Sequence, residues 1–179
     1  MYNGRGSCAV LDLDIVLANL KGDNSILWNE GELTFRHESL PYGGSRAVAI
    51  VDVEGDGWPD IILARGSNPP LRWRNLGPDE TTGQIGFKHI PLSGVSNPSY
   101  AMNWADLDAD GDLDLVTGSY DAALMVERAN DFLFGQGGGV FVYYQQEDET
   151  WQAQQLAEKA QALALSLADF NGDDQPDIA

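Results

Sequence analysis

The chain has 179 residues, of which 43 % are apolar, so one ordinary domain with a real core is expected. Its 28 acidic residues against 10 lysines and arginines give a net charge of −18. This charge argues against nucleic-acid or anionic-membrane binding, which need basic patches, and favours metal cations or basic partners. A lone cysteine, Cys8, excludes an internal disulfide framework. No apolar run approaches the roughly 18 residues of a membrane-spanning helix, and the N-terminus shows no signal-peptide pattern.

Three segments of the chain align with one another without gaps, at 49–66, 103–120 and 166–179. Their common core is D-x-[DEN]-x-D-[GD]-x-x-D-[IL]. A fourth copy, at 11–19, is half present: Asp14 matches Asp60, but the preceding ligand positions are not acidic. Equivalent aspartates are separated by 46, 54 and 63 residues, counted from Asp14 through Asp60 and Asp114 to Asp177. Such a period is typical of propeller blades.

Each copy is predicted to form four short strands, because alternating segments such as "SRAVAIVD" precede the acidic loops and apolar segments such as "DIILARG" follow them. The prediction is an all-β, incomplete β-propeller of about three four-stranded antiparallel blades, which begins and ends within a blade. The whole chain, 1–179, forms one repeat domain. Its expected parts are a partial blade with a degenerate loop (10–40), a blade with a calcium loop (45–95), a blade with a calcium loop and an insertion at 121–139 (97–159), and the first strand and calcium loop of a truncated blade (161–179).

Two details of the blades are open to test. Trp28 is aligned with Trp73, and Phe35 with Phe87, in the third and fourth strands of the first two copies. The segment from 150 to 168 is rich in helix formers, but the repeat register predicts strands at "VFVYYQQ" and "TWQAQQLAE".

The acidic loops have the spacing that a hard divalent cation needs. Side chains at positions one, three, five and nine and the carbonyl at position seven can supply oxygen ligands, while glycine at position six suits the turn. An EF-hand would place its closing acid at position twelve. Solvated acidic turns are the alternative. The predicted ligands are Asp52, Glu54, Asp56, Trp58 and Asp60 in loop one, Asp106, Asp108, Asp110, Asp112 and Asp114 in loop two, and Asp169, Asn171, Asp173, Gln175 and Asp177 in loop three, where Asp174 replaces the glycine.

At these loops, their flanking strands and the "W-x-N-x-G…F" signature, the sequence resembles FG-GAP and VCBS-type repeats, the calcium-loop propeller family that includes the integrin α-subunit head. The resemblance implies a structural calcium ion in each of the three loops and a non-catalytic module for adhesion, or for binding a protein or carbohydrate, at the cell surface, outside the cell or in the periplasm. The remaining blades of a longer chain, or self-association, would complete the ring. The alternative is the propeller portion of a carbohydrate-active enzyme such as a polysaccharide lyase, for which Arg65, Arg72, Arg74 and Lys88 are the only clustered basic residues; Arg72 and Arg74 are expected to face solvent.

Overall fold

The computed structural model describes residues 13–66, 68–119, 139–157, 162 and 164–179. All the regular structure in these ranges is β, so they contain no helix that could cross a membrane. The strands are β1 (Ile15–Leu17), β2 (Asn24–Asn29), β3 (Phe35–Leu40), β4 (Ala47–Val51), β5 (Asp60–Ala64), β6 (Leu71–Pro78), β7 (Ile85–Ile90), β8 (Ala101–Ala105), β9 (Asp114–Ser119), β10 (Gly139–Gln145), β11 (Trp151–Ala157), β12 (Leu167–Ala168) and β13 (Asp177–Ile178).

The strands form four separate antiparallel sheets, and within each sheet the strands follow one another in chain order. We call β1–β3 blade one, β4–β7 blade two, β8–β11 blade three and the β12–β13 pair blade four. Up-and-down sheets of four strands are the units of a propeller. The predicted all-β fold of incomplete propeller blades is therefore confirmed.

Blade three contains the segment in which helix propensity and repeat register disagreed. The structure forms strands there, at 139–145 and 151–157. Tertiary packing explains the outcome: Phe141, Tyr143 and Trp151 are buried in the core, which an alternating strand pattern achieves. The predicted insertion at 121–139 lies outside the described residues except for its last residue, Gly139, which begins β10.

Two hydrophobic cores lie between successive blades, and β5 contributes to both. Ile61 and Leu63 of β5 belong to the core shared with blade one, whereas Ile62 belongs to the core shared with blade three. A strand buried on both faces needs a continuous apolar sequence, which explains "DIILA". The first core comprises Ile26, Leu40, Ile61, Leu63, Leu71 and Trp73. The second comprises Val53, Ile62, Leu92, Val95, Leu115, Phe141, Tyr143 and Trp151.

The first strand of blade two, β4, has its large residues on one face and its small residues on the other, as the alternation predicted. Ala49 is paired with Ile62 and faces blade three, while Ile50 is paired with Ile61 and faces blade one. Val48 and Ile50 are 36 % and 53 % exposed. The described part of blade one starts with the equivalent of the second strand of blade two, so no described strand covers them.

The predicted alignment of Trp28 with Trp73 is wrong by one residue. In the strand pairing, Leu27 lies opposite His37 as Trp73 lies opposite His89, so Trp28 is equivalent to Arg74. The alignment of Phe35 with Phe87 is confirmed by the same pairing.

An asparagine two residues before a glycine, rather than the tryptophan, sets this register. Asn29 and Asn75 each accept a hydrogen bond at Oδ1 from that glycine's amide, at 3.0 and 2.9 Å. Each also donates from Nδ2 to the carbonyl that precedes the matching aspartate, Asp14 or Asp60.

Candidate metal centre

The three acidic loops share one internal framework. Loop one spans residues 52–60, loop two 106–114 and loop three 169–177, each numbered here as positions one to nine. In every loop the carboxylate at position one accepts the amide of position six, at 2.7 Å for Asp52, 3.1 Å for Asp106 and 3.0 Å for Asp169. The carboxylate at position five likewise accepts the amide of position seven in all three loops. These bonds give the three loops the same turn.

Two residues of each loop have left-handed backbone geometry. Position six has φ of 88° at Gly57, 98° at Gly111 and 64° at Asp174. Asp174 therefore makes the same turn as the glycines, with the strain that a side chain adds there. Position four is left-handed as well, and in loop two it is occupied by Ala109, with φ of 64°. The turn at position six was predicted from its glycine, whereas the left-handed geometry at position four was not predicted.

Loop two brings three predicted ligands together. Carboxylate oxygens of Asp106, Asp108 and Asp114 all lie within 4.8 Å of one another. Like charges this close repel strongly unless a cation or protons compensate them. Among the described residues no lysine or arginine forms an ion pair with this loop.

Asp114 is the buried anchor of loop two and is 0 % exposed. Its Oδ1 accepts the amide of Gln145 at 3.0 Å, and its Oδ2 accepts the amide of Leu107 at 2.8 Å. Burial raises the pKa of the Asp114 carboxyl, against the lowering effect of these two amides. The carboxylate is thus fixed by the backbone of two different segments.

The chemistry of loop two fits a hard divalent cation such as Ca²⁺. Such ions take six to eight oxygen ligands, and this loop offers clustered carboxylates. Oδ1 of Asp106 is buried and has no hydrogen-bond partner among the described residues. An unpaired buried carboxylate oxygen is costly, and a metal ion would satisfy it. Of the remaining predicted ligands, Asp110 and Asp112 have exposed side chains.

Loop three has the same framework on a more exposed site. Oδ2 of Asp177 accepts the amide of Phe170 at 2.9 Å, as Asp114 accepts that of Leu107. Asn171 turns its Nδ2 toward Oδ1 of Asp177 at 3.4 Å. In the described residues this loop does not gather three carboxylates as loop two does. Hydrogen bonds from backbone amides, that of Gly172 foremost, lower the pKa of Asp169, while Asp173 and Gln175 lie exposed.

Loop one differs from both, because two arginines of β6 reach into it. Arg72 is 6 % exposed and donates from Nε to Oδ2 of Asp60 at 3.0 Å. Its Nη2 lies 2.7 Å from the same oxygen and also contacts Oε1 of Glu54. Arg74 lies 3.6 Å from Glu54 and 3.5 Å from Asp56. The expectation that Arg72 and Arg74 face solvent is therefore wrong for Arg72, which is buried, while Arg74 is half-buried.

The closing residue of loop one is held as firmly as that of loop two. Asp60 is 0 % exposed, and its Oδ1 accepts the amide of Asn75 at 2.7 Å. Burial raises the pKa of Asp60, whereas the Asn75 amide and the Arg72 guanidinium oppose that rise. Trp58, the expected carbonyl ligand, is half-exposed on the loop surface.

The degenerate copy keeps the structural part of this arrangement. Oδ1 of Asp14 accepts the amide of Asn29 at 2.7 Å, as Asp60 and Asp114 accept those of Asn75 and Gln145. The closing aspartate thus ties the start of a blade's second strand to its third strand. The sequence predicted a metal-binding role for Asp60 and Asp114 and none for Asp14, whereas this tie between strands was not predicted, although the repeated N-x-G in two copies was a visible signal.

Comparison with known proteins assigns the chain to a family. The FG-GAP-like repeat model matches residues 12–63 and 52–117, which together cover more than half of the chain. No curated protein matches the sequence. The matched regions include blade one, blade two, the first strand of blade three and most of its second strand, with loops one and two. The chain therefore belongs to the FG-GAP-like repeat family and forms part of a β-propeller repeat module.

Proposed function

We propose that this chain is a calcium-binding, non-catalytic propeller module that acts in adhesion or ligand binding outside the cell. The observation that carries the proposal is loop two: three carboxylates within 4.8 Å of one another, with a buried and unpartnered oxygen on Asp106. Loop three, which shares its framework, is the second site. The role of the ion is structural, since it would fix the connection between the first two strands of a blade.

The expected effect of calcium on stability is modest for each site. Extracellular calcium modules have dissociation constants of about 10⁻⁴ to 10⁻³ M. At about 1 mM calcium, binding to the folded state alone then contributes roughly 0.4 to 1.4 kcal/mol per site. Such affinity is useful only where calcium is millimolar, which supports a location at the cell surface, outside the cell or in the periplasm.

The enzymatic alternative, a portion of a polysaccharide lyase, gains no support from the two arginines beside loop one. A lyase needs a base beside a metal-bound uronate, but Arg72 and Arg74 are engaged by Glu54, Asp56 and Asp60. We therefore favour a binding module, whose partner is a protein or a carbohydrate.

Completion of the ring remains part of the proposal. Val48 and Ile50 of β4 are exposed on the face of blade two that is directed toward blade one, and Ile15 and Leu17 of β1 are exposed on the face of blade one that is directed away from blade two. Either further blades of a longer chain or a second copy would cover them. Multi-angle light scattering separates the two: a monomer at high concentration contradicts self-association.

The test of calcium binding is thermal unfolding in 1 mM calcium and in chelator, with magnesium as a second ion. We expect calcium to raise the midpoint and the Asp106→Asn variant to lose part of that rise. An unchanged midpoint in the wild type contradicts the proposal. Glycan and matrix-protein arrays probed in calcium and in chelator then address the ligand.

A further inference from the structure

The closing aspartates of the three loops use their second carboxylate oxygen differently. In loops two and three, Oδ2 of Asp114 and of Asp177 accepts the amide of the loop's own position two. In loop one, Oδ2 of Asp60 is instead bound by the guanidinium of Arg72. The residue at position three differs as well. Glu54 has a longer side chain than the matching Asp108 and Asn171, and it contacts the same guanidinium.

The matching position in blade three carries no charge. Asn75 and Gln145 are equivalent, because their amides donate to Oδ1 of Asp60 and of Asp114. Arg72, three residues before Asn75, therefore corresponds to Val142, which is apolar and 2 % exposed. Each lies on the same face of its sheet as the closing aspartate, since Arg72 is paired with Ile62 and Val142 with Val116.

The charges of the two loops differ accordingly. Loop one has four acidic residues and two arginines against them, which leaves a formal charge of −2, while loop two has five acidic residues without such partners and keeps −5. A divalent ion between Glu54 and Asp60 would meet a buried guanidinium bound to both side chains, and like charges at that distance repel. Oε2 of Glu54 is buried without a hydrogen-bond partner among the described residues, as Oδ1 of Asp106 is, but the guanidinium bound to Oε1 of Glu54 and Oδ2 of Asp60 keeps this donor set from fitting a divalent ion.

We propose that the Arg72 guanidinium takes the place of a metal ion in loop one, so that the wild-type protein binds calcium in loops two and three but not in loop one. This inference rests on the proposed function, because it assumes that loop two does bind calcium. Loop one would then keep its shape in chelator, and blade two would not depend on the ion.

The experiment counts bound calcium by equilibrium dialysis at a fixed millimolar concentration. We expect Arg72→Met to bind one ion more than the wild type, because Glu54 and Asp60 lose their cation. Arg74→Met is the matched control, with weaker contacts in the same loop, and should leave the count unchanged. An unchanged count in Arg72→Met overturns the inference.

A second pair of variants keeps the test valid if Arg72→Met does not fold. Asp52→Asn and Asp106→Asn change the same position in loops one and two. The inference predicts that only Asp106→Asn loses an ion, and loss of an ion in Asp52→Asn overturns it. If the wild type binds no calcium at all, the proposed function fails, whereas a gain of one ion in Arg72→Met would still support the role of Arg72.

Discussion

Replacing Asp114 by asparagine removes one negative charge from loop two with almost no change in shape. The native carboxylate accepts two backbone amides, one on each oxygen, from Gln145 and Leu107. An asparagine has only one side-chain oxygen, so its NH₂ group must face one of these donors. The substitution therefore leaves a partly buried amide without an acceptor and weakens the three-carboxylate cluster at the same time.

The size of the effect follows from these two losses. A buried donor without a partner costs about 1–3 kcal/mol. Loss of calcium from loop two costs roughly a further 0.4 to 1.4 kcal/mol at about 1 mM calcium. In chelator no calcium is lost. Burial raises the pKa of the Asp114 carboxyl, so removal of its charge offsets part of the cost of the unpaired amide. We expect the Asp114→Asn variant to be destabilised more in calcium than in chelator.

Urea unfolding of the wild type and the variant, each with calcium and with chelator, measures both losses. Asp112→Asn is the matched control, because it removes the same charge from an exposed side chain of the same loop. It should retain the calcium response. The reasoning is refuted if Asp114→Asn is as stable as the wild type, or if its stability rises with calcium as much as that of the wild type.

Three further changes test the fold and its turns. Ile62→Ala should lower the free energy of unfolding by about 2–5 kcal/mol because Ile62 is fully buried. Ile50→Ala, on the exposed face of β4, should lower it far less. Urea unfolding compares the two variants, and an equal loss of stability would show that another strand covers Ile50. Ala109→Gly should stabilise the protein by about 0.5–1 kcal/mol, since it relieves left-handed geometry at φ 64°, and a lower unfolding midpoint would contradict this. Asp79, in the turn between β6 and β7, has a pKa lowered by hydrogen bonds from Thr82 and Thr81. Its contribution to stability is present above its unfolded-state pKa and is lost as the pH falls through the folded-state pKa; Asp79→Ala should therefore be less stable than the wild type at pH 7 and nearly equal to it in acid, and a difference that does not depend on pH would count against the assignment.

The repeat was a better guide to the fold than local propensity. Residues 151–157 consist largely of helix formers, yet they form β11, because Trp151 completes the core between blades two and three. The repeat period and the alternation of the inner strands reflect which residues are buried, and the pattern of apolar residues in the sequence shows this directly. The alignment of Trp28 with Trp73 was wrong because the register is set by the hydrogen bonds of Asn29 and Asn75, which the sequence pattern alone does not reveal.

The ligand positions of the three loops could be predicted from the sequence, but the differences among the loops in charge and hydrogen bonding could not. Spacing alone makes loops one and two equivalent, and loop one even has glycine at both left-handed positions. The difference arises from Arg72, which lies twelve residues beyond Asp60 and reaches it only through the pairing of β5 with β6. Contacts between strands of this kind cannot be read from a loop motif.

Anomalous X-ray diffraction from crystals grown in calcium tests the central claim most directly. We expect a peak among the carboxylate oxygens of Asp106, Asp108 and Asp114, and no peak between Glu54 and Asp60. The absence of any peak in loop two at saturating calcium would contradict the account.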